Sequence, residues 1–251
     1  MKPRRRTATA FLVDKPYAHR GLHGGRVVEN TMEAFDRAIA AGHGIELDVQ
    51  RTADGDAVVF HDATLERLCG RPQRVDSLTR AALAEITLSG TQERIHSLYD
   101  VLRHIDGRVP VLVEVKTPQK HMGFLCQAVR HALEGYVGPV AVMAFHPEII
   151  RWFRQQAPHL VRGLVVSDEK YKNTALGHVK RWVAQSLSMW RARPDFLAYD
   201  VQSLPSPLSR HMRQMGQAVL TWTVRTGSDR AKALNHADQI IYEVADARPP
   251  R

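Results

Sequence analysis

Cysteine and long apolar segments are both scarce in this 251-residue chain. The two cysteines, Cys69 and Cys126, do not have the spacing of a metal site. They are interpreted as two free thiols of a reducing compartment, with a single disulfide as the alternative. No segment reaches the roughly 18 apolar residues that a membrane-spanning helix needs, so we expect no stable insertion into a membrane.

Acidic residues are also in the minority, since 35 lysines and arginines face 26 aspartates and glutamates, which gives a formal net charge of +9. Part of this excess is the basic N-terminus, with Lys2, Arg4, Arg5 and Arg6. One interpretation is a partner such as acidic lipid or nucleic acid; the other is a basic tail and a solvated surface that concentrates an anionic substrate. No basic stripe interleaved with aromatic residues is present, so the second interpretation is favoured and no nucleic-acid partner is expected.

The N-terminus superficially resembles an export signal, because three arginines precede the apolar stretch 8–13. Asp14, Lys15 and Pro16 interrupt that stretch, which is shorter than the roughly 7–15 apolar residues of a secretory signal. We therefore predict a cytoplasmic protein.

Strand-like and helix-like patterns alternate along the chain, which predicts a parallel sheet with helical crossovers. The predicted strands are 17–19, 45–49, 57–60, 111–115, 140–145, 163–166, 196–199, 219–224 and 239–242. The predicted helices are 32–39, 81–87, 98–104, 122–133, 147–155, 174–191 and 206–215. Asn30 is the predicted cap of the first of these helices, with Glu33 completing a capping box. Nine strands against the eight of a standard α/β barrel leave one strand accessory or part of a hairpin.

Carboxylates and histidines cluster where the first strands end. Glu46 and Asp48 point to the same face of one strand because side chains alternate along a strand. Two such carboxylates repel each other unless a cation lies between them, and Mg²⁺ or Ca²⁺ prefers oxygen ligands. His19 and His61 follow two other strands and suit proton transfer near neutral pH.

A later strand adds a third carboxylate. Glu114 and Lys116 share one face of the strand after Pro110, so Glu114 completes an acidic set and Lys116 can meet a phosphate oxygen. Arg20, next to His19, offers a planar fork that suits phosphate. An acid, a base, a metal and an anion clamp together indicate hydrolysis of a phosphate ester.

An ordered series of motifs resembles the glycerophosphodiester phosphodiesterases over nearly the whole chain. The motifs are His19-Arg20-Gly21, Val28-Glu29-Asn30-Thr31, Glu46-Leu47-Asp48-Val49, Thr52-Ala53-Asp54-Gly55, Val58-Val59-Phe60-His61-Asp62, Thr64-Leu65-Glu66-Arg67, Ile95-His96-Ser97-Leu98, Glu114-Val115-Lys116 and Thr221-Trp222-Thr223-Val224. Three positions depart from the family pattern: Val28, Arg225 and the segment 239–243, which ends in Glu243.

The resemblance implies a TIM-type (β/α)8 barrel of residues 1–251, with a small insertion at 63–97 after the third strand. It implies catalysis by His19 and His61, a Mg²⁺ or Ca²⁺ ion bound by Glu46, Asp48 and Glu114, and phosphate contacts from Arg20 and Lys116. The substrate is then a small glycerophosphodiester, hydrolysed to glycerol 3-phosphate and an alcohol. Two alternatives stay open: lysophospholipase D activity, with an apolar groove near 63–97, and an inactive barrel that only binds ligands.

Four further residues are candidates for positions beside this site. Glu29 either orients His19 or a metal-bound water, or caps a helix together with Asn30. Asp62 is predicted to hold the geometry around His61 or the metal. His146 is a candidate pocket residue, and Trp222 either packs in the core or forms an apolar wall for the glycerol group.

Overall fold

The computed structural model describes residues 8–116, 122–169 and 174–244; the basic residues Lys2, Arg4, Arg5 and Arg6 lie outside them. The helices are α1 Phe11–Asp14, α2 Met32–Ala40, α3 Glu66–Cys69, α4 Arg80–Ala84, α5 Leu98–Ile105, α6 Met122–Ala132, α7 Pro147–Gln156, α8 Ala175–Ala192, α9 Pro207–Gln214 and α10 Gly227–His236. The strands are β1 Tyr17–His19, β2 Gly44–Arg51, β3 Ala57–Val59, β4 Val111–Val115, β5 Val140–Ala144, β6 Val161–Val166, β7 Phe196–Asp200, β8 Ala218–Val224 and β9 Gln239–Tyr242.

The chain divides into two compact units. The first unit contains Tyr17–Val140 together with Glu243 and Val244, and the second contains Ala141–Tyr242 together with the segment that ends at Pro16. Each unit alternates strands with helices, as the sequence pattern predicts.

In the first unit, β2 is the central strand. It pairs in parallel with β1 on one side and with β4 on the other, and its last residues pair antiparallel with β3. The connection between β2 and β3 is the predicted Asp54-Gly55 turn, where Gly55 has a φ of +88°. The accessory strand left unassigned by the sequence is therefore β3, the second arm of a hairpin.

The cap of α2 differs from the sequence prediction. Thr31 is the N-cap, because its hydroxyl accepts the backbone N–H of Ala34 at 3.3 Å. Asn30 has a φ of +58° and its side chain lies against Asp48 instead. The predicted capping box is absent, and Glu33 forms an exposed ion pair with Arg37 at 2.9 Å.

The insertion 63–97 holds two short helices, α3 and α4, and one 3₁₀ turn. Its apolar side chains pack with Val58 and Phe60 of the β3 segment into a separate buried cluster. Because these side chains are buried, none of the large apolar residues of the insertion offers an exposed apolar groove of the kind expected for a lysophospholipid.

The second unit is built on β5 to β9, which pair in parallel in sequence order. Helix α10 was missed by the sequence analysis because its sequence is polar and has little apolar periodicity. The available signal was its capping box, in which the Thr226 hydroxyl accepts the Asp229 N–H and the Asp229 carboxylate accepts the Thr226 N–H. Among all the helices described, none combines the length and the apolar character needed to cross a bilayer.

Candidate active site

Three buried carboxylates meet at the centre of the first unit. The parallel register sets Glu114 of β4 opposite Asp48 of β2, and Glu46 lies two residues earlier on the same face of β2. One oxygen from each of the three residues lies within 4.8 Å of the others. Strand alternation and register therefore bring together the acidic set predicted from the sequence.

The electrostatics of this set are unfavourable for three negative charges alone. Burial raises the pKa of Glu46 well above its usual range, and the neighbouring charges of Asp48 and Glu114 add to that shift. Burial acts in the same direction on Asp48, but Lys116 and Arg20 outweigh it and hold the pKa of Asp48 below its usual value. Within the part of the chain that the structure describes, Glu46 Oε1 is buried without a hydrogen-bond partner.

Two cations lie against these carboxylates. Lys116 Nζ is 2.6 Å from Glu114 Oε1 and 3.2 Å from Asp48 Oδ1. Arg20 Nε is 3.2 Å from Asp48 Oδ2, and the Arg20 backbone N–H donates to Glu46 Oε2 at 3.0 Å. Both cations are half-buried beside their partners, whose negative charge raises the pKa of each despite the burial that lowers it.

The residues fit a hard divalent cation. Three carboxylates outnumber the two cations in contact with them. Among the described residues, Glu46 Oε1 and Asp48 Oδ1 are buried without a hydrogen-bond donor, although Lys116 Nζ lies 3.2 Å from the second of these oxygens. A buried acceptor of this kind is costly unless a positive group satisfies it. Oxygen donors alone suit Mg²⁺ or Ca²⁺.

His19 lies at the edge of this cluster and has a partner that the sequence analysis missed. Its Nδ1 is 2.5 Å from Glu243 Oε1, and its Nε2 is 3.8 Å from Glu46 Oε2. Glu243 follows β9, 224 residues later in the chain. The only available signal was the acidic residue that ends the 239–243 segment, a segment that departs from the family pattern.

His61 has a similar arrangement with a sequence neighbour. Its Nδ1 is 2.6 Å from Asp62 Oδ1, and Arg67 Nε donates to the second oxygen of Asp62 at 2.6 Å. Burial raises the pKa of Asp62, but these two hydrogen bonds outweigh it and hold that pKa well below its usual range. The ring of His61 is more open than that of His19, with side-chain exposures of 29% and 9%.

Backbone conformation explains the His-Arg-Gly motif. Arg20 and Gly21 both have positive φ, +56° and +79°, so the chain turns sharply after β1. A Cβ on residue 21 would lie 2.8 Å from the Ala34 Cβ, which only glycine avoids. The turn directs the Arg20 N–H at Glu46.

Asn30 is a second residue missed from the sequence. Its Nδ2 donates to Asp48 Oδ2 at 3.1 Å, and its Oδ1 accepts the Asp48 backbone N–H at 3.4 Å. Its left-handed conformation removes it from the helix cap and places it against the acidic set. Asparagine tolerates that conformation better than most residues.

Glu29 pairs with two arginines, and its predicted contact with a metal-bound water stays a prediction. Its carboxylate accepts from Arg20 Nη1 at 2.8 Å and from both terminal nitrogens of Arg67 at 2.7 and 2.9 Å. Glu29 thereby neutralises two arginines, and these bonds lower its pKa although burial alone would raise it. Among the described residues, no hydrogen bond joins Glu29 to His19 or to the cap of α2, because the two guanidinium groups take its oxygens.

His146 and Trp222 lie in the second unit. His146 is the N-cap of α7, where Nδ1 accepts the Glu148 N–H at 3.2 Å. Trp222 donates its Nε1–H to the carbonyl of Ala198 at 3.0 Å and packs edge-on against Phe145, with ring centroids 5.4 Å apart. Both side chains have structural partners, and pocket positions for them stay predictions.

The chain is a (β/α) protein whose fold is shared with solved phosphodiesterases. It matches the structure of an Oleispira antarctica phosphodiesterase in complex with the product sn-glycerol-3-phosphate at TM-score 0.78, with 19% identity over 96% of this chain and 95% of that one. A glycerophosphodiester phosphodiesterase from Thermotoga maritima matches at TM-score 0.69, with 24% identity over 90% and 92% of the two chains. The predicted fold class, a TIM-type (β/α)8 barrel, is confirmed, with β3 as the strand beyond the eight.

Sequence comparison then identifies the family. The model of the glycerophosphoryl diester phosphodiesterase family matches residues 19–243, so the chain belongs to that family and to the phosphoric diester hydrolases. A glycerophosphodiester phosphodiesterase of Caldanaerobacter subterraneus subsp. tengcongensis is 28% identical over 228 residues, 86% of this chain and 88% of that protein. A mouse lysophospholipase D is 38% identical over 112 residues, 39% of this chain and 33% of that protein.

Proposed function

We propose that this chain hydrolyses glycerophosphodiesters to glycerol 3-phosphate and an alcohol, with His19 and His61 as the proton-transfer groups and with a divalent cation required. Family membership supports the reaction, and the names of the relatives support the substrate class. The assignment of the histidines depends on one observation: the Nδ1 of each ring faces a carboxylate, Glu243 for His19 and Asp62 for His61.

The positions of those carboxylates determine which nitrogen of each ring exchanges a proton with the substrate. An ionised carboxylate can only accept a hydrogen bond, so Nδ1 carries the proton in both rings. In a neutral ring Nε2 is then the free base, and in a protonated ring Nε2–H is the acid. One histidine deprotonates the attacking oxygen and the other protonates the leaving alcohol.

Glu46, Asp48 and Glu114 are the proposed ligands of the cation, Mg²⁺ or Ca²⁺, which when bound supplies Lewis-acid stabilisation of the phosphoryl charge. Arg20 and Lys116 each contact a carboxylate of this set and are proposed to bind phosphate oxygens beside it. Their positive charge is held in place before substrate arrives, which lowers the energy of the transition state without reorganisation.

The test is turnover of glycerophosphocholine with Mg²⁺ or Ca²⁺ present, measured as glycerol 3-phosphate released. His19→Ala and His61→Ala should each lower kcat by about 10²–10⁴-fold, the usual contribution of a positioned acid or base. His104→Ala is the matched control, because His104 is a surface histidine of the first unit that pairs with Asp36. Near-normal turnover in either site variant, with a native circular dichroism spectrum, would contradict the assignment.

The attacking oxygen belongs either to water or to the glycerol group of the substrate itself. Attack by the glycerol hydroxyl forms a cyclic glycerophosphate before glycerol 3-phosphate appears. Following the reaction by ³¹P NMR separates the two routes, since only the second gives a transient cyclic product.

Lysophospholipase D activity is the second candidate, favoured by the similarity to the mouse enzyme over 112 residues. The burial of apolar side chains in the insertion 63–97 argues against the groove expected there. A direct comparison of kcat/KM for glycerophosphocholine and lysophosphatidylcholine decides between the two substrate classes.

A further inference from the structure

Helix α8 in the second unit exposes an unusual apolar face. Five large side chains of this helix are exposed, and we call them the α8 apolar face: Val179, Trp182, Val183, Leu187 and Trp190. The two tryptophans are 70% and 66% exposed, which is far more than indole side chains usually show in a folded domain.

The five residues form one continuous strip. At 3.6 residues per turn, they occupy an arc of about 140° along the 18-residue helix, interrupted only by Ser186. A strip of this kind is the pattern of a helix that binds something through its apolar side.

The polar side of α8 is turned toward the interior of the unit. Gln185 donates to Asp168 Oδ1 at 2.7 Å and to the Tyr199 hydroxyl at 3.0 Å, and Tyr199 is fully buried. Arg181 lies on the same side and pairs with Asp168 at 3.3 Å. These bonds fix the rotation of the helix, so the apolar residues point outward in the native fold.

Charge on and beside the helix is positive. Residues 175–192 contain Lys180, Arg181 and Arg191 and no aspartate or glutamate. Lys180 is exposed on the margin of the apolar face and has no carboxylate partner among the described residues. Arg191, on the same margin, pairs with Glu148 of α7, and Arg193 just beyond the helix is exposed. The chain as a whole carries +9.

We propose that the α8 apolar face docks on an anionic phospholipid surface, with the helix lying in the plane of the interface. Tryptophans at the level of the headgroups and lysine or arginine beside them are the composition of interfacial helices. A second copy of the chain fits this face less well, because it would bring the same cationic margin against itself with no acidic residue on the helix to balance it. This inference does not depend on the proposed function.

The test is co-sedimentation of the full chain with vesicles of phosphatidylcholine alone and of phosphatidylcholine with 30% phosphatidylglycerol. We expect binding to the anionic vesicles only, a blue shift of tryptophan emission on binding, and weaker binding as salt increases. The double variant Trp182→Ser/Trp190→Ser should lower the partition coefficient by about tenfold or more, and Lys180→Glu should lower it to a smaller extent.

Matched control variants distinguish vesicle binding through the α8 apolar face from non-specific binding of the protein to vesicles. Leu234→Ser removes an exposed apolar side chain of α10, and Arg210→Glu reverses an exposed charge of α9; both should bind vesicles as the wild type does. All four variants should retain their melting temperature and their turnover of soluble substrate. Three results would each overturn the proposal. The wild-type protein could fail to bind anionic vesicles, the double variant could bind them as the wild type does, or the wild type could form a dimer that the double variant abolishes.

Discussion

The two units place histidines and other polar groups at strand ends in different ways. In the first unit, the strands β1, β2 and β4 carry a cluster of ionisable side chains, His19, Glu46, Asp48 and Glu114, and the Nδ1 atoms of His19 and His61 face carboxylates. In the second unit, His146 follows β5 but accepts a backbone N–H as a helix cap, and Trp222 donates to a backbone carbonyl. The partner of the ring, rather than its place at a strand end, separates a candidate catalyst from a structural residue.

The largest expected effect tests whether the first unit holds a metal. Glu46→Gln should lower turnover by at least about a hundredfold, because it removes one proposed ligand of the cation that stabilises the charge of the transition state. Without metal, the variant should be more stable than wild type, since a buried charge beside two like charges is lost. Divalent cation at about 100 times its Kd should stabilise the wild type by about 2.7 kcal/mol and the variant far less.

Thermal unfolding with chelator and with added Mg²⁺ or Ca²⁺ measures both effects. Equal stabilisation of wild type and Glu46→Gln by the cation would show that the cation does not bind at this cluster. The first unit would then lack the metal site that is proposed to distinguish it from the second unit.

A smaller effect is expected from Glu243, whose carboxylate contacts His19 Nδ1. Glu243→Gln should lower kcat by about 10–100-fold, the usual cost of losing a group that orients a functional side chain, with little change in KM. Glu243→Asp should recover part of this activity. A Glu243→Asp variant with no more activity than Glu243→Gln would contradict an orienting role for this carboxylate.

The next effect is on stability and depends on pH. The pKa of Asp62 is held well below its usual range, so its bonds to His61 and Arg67 favour the folded state above about pH 4 and are lost as pH falls further. Asp62→Asn should therefore cost about 1–3 kcal/mol at pH 7, and this difference should shrink toward pH 2. Urea unfolding of both proteins between pH 7 and pH 2.5 measures it, and a difference that is constant with pH would contradict the assigned cause.

The smallest expected effect concerns His146, the N-cap of α7 in the second unit. His146→Ala should cost about 1 kcal/mol of stability because α7 loses its N-cap, and His146→Asn should restore most of it. Turnover should stay within about twofold of wild type, because the ring contacts a backbone amide. A loss of turnover approaching that of His61→Ala would instead indicate that His146 takes part in the reaction.

Much of the site could be predicted because it depends on short-range geometry. Strand alternation alone sets Glu46 and Asp48 on one face, and Glu114 and Lys116 on another strand obey the same rule. Asp62 adjoins His61 in the sequence, so its role as a neighbour of the ring needed no tertiary information. The apolar periodicity likewise located all nine described strands and seven of the ten described helices. It missed α1 and α3, which have only four residues each, and α10, whose stability comes from its cap and its packing more than from an apolar stripe.

The sequence by itself determined the residue types, the strand faces and the order of the motifs, and through them the family and its fold class. Only the tertiary structure decided which groups are partners across long separations: Glu243 with His19, Asn30 with Asp48, and Glu29 with Arg67. Those pairings depend on the register of parallel strands and on left-handed turns at Arg20 and Asn30. No local pattern encodes them, since a contact between residues 224 positions apart is fixed by the packing of the elements that carry them.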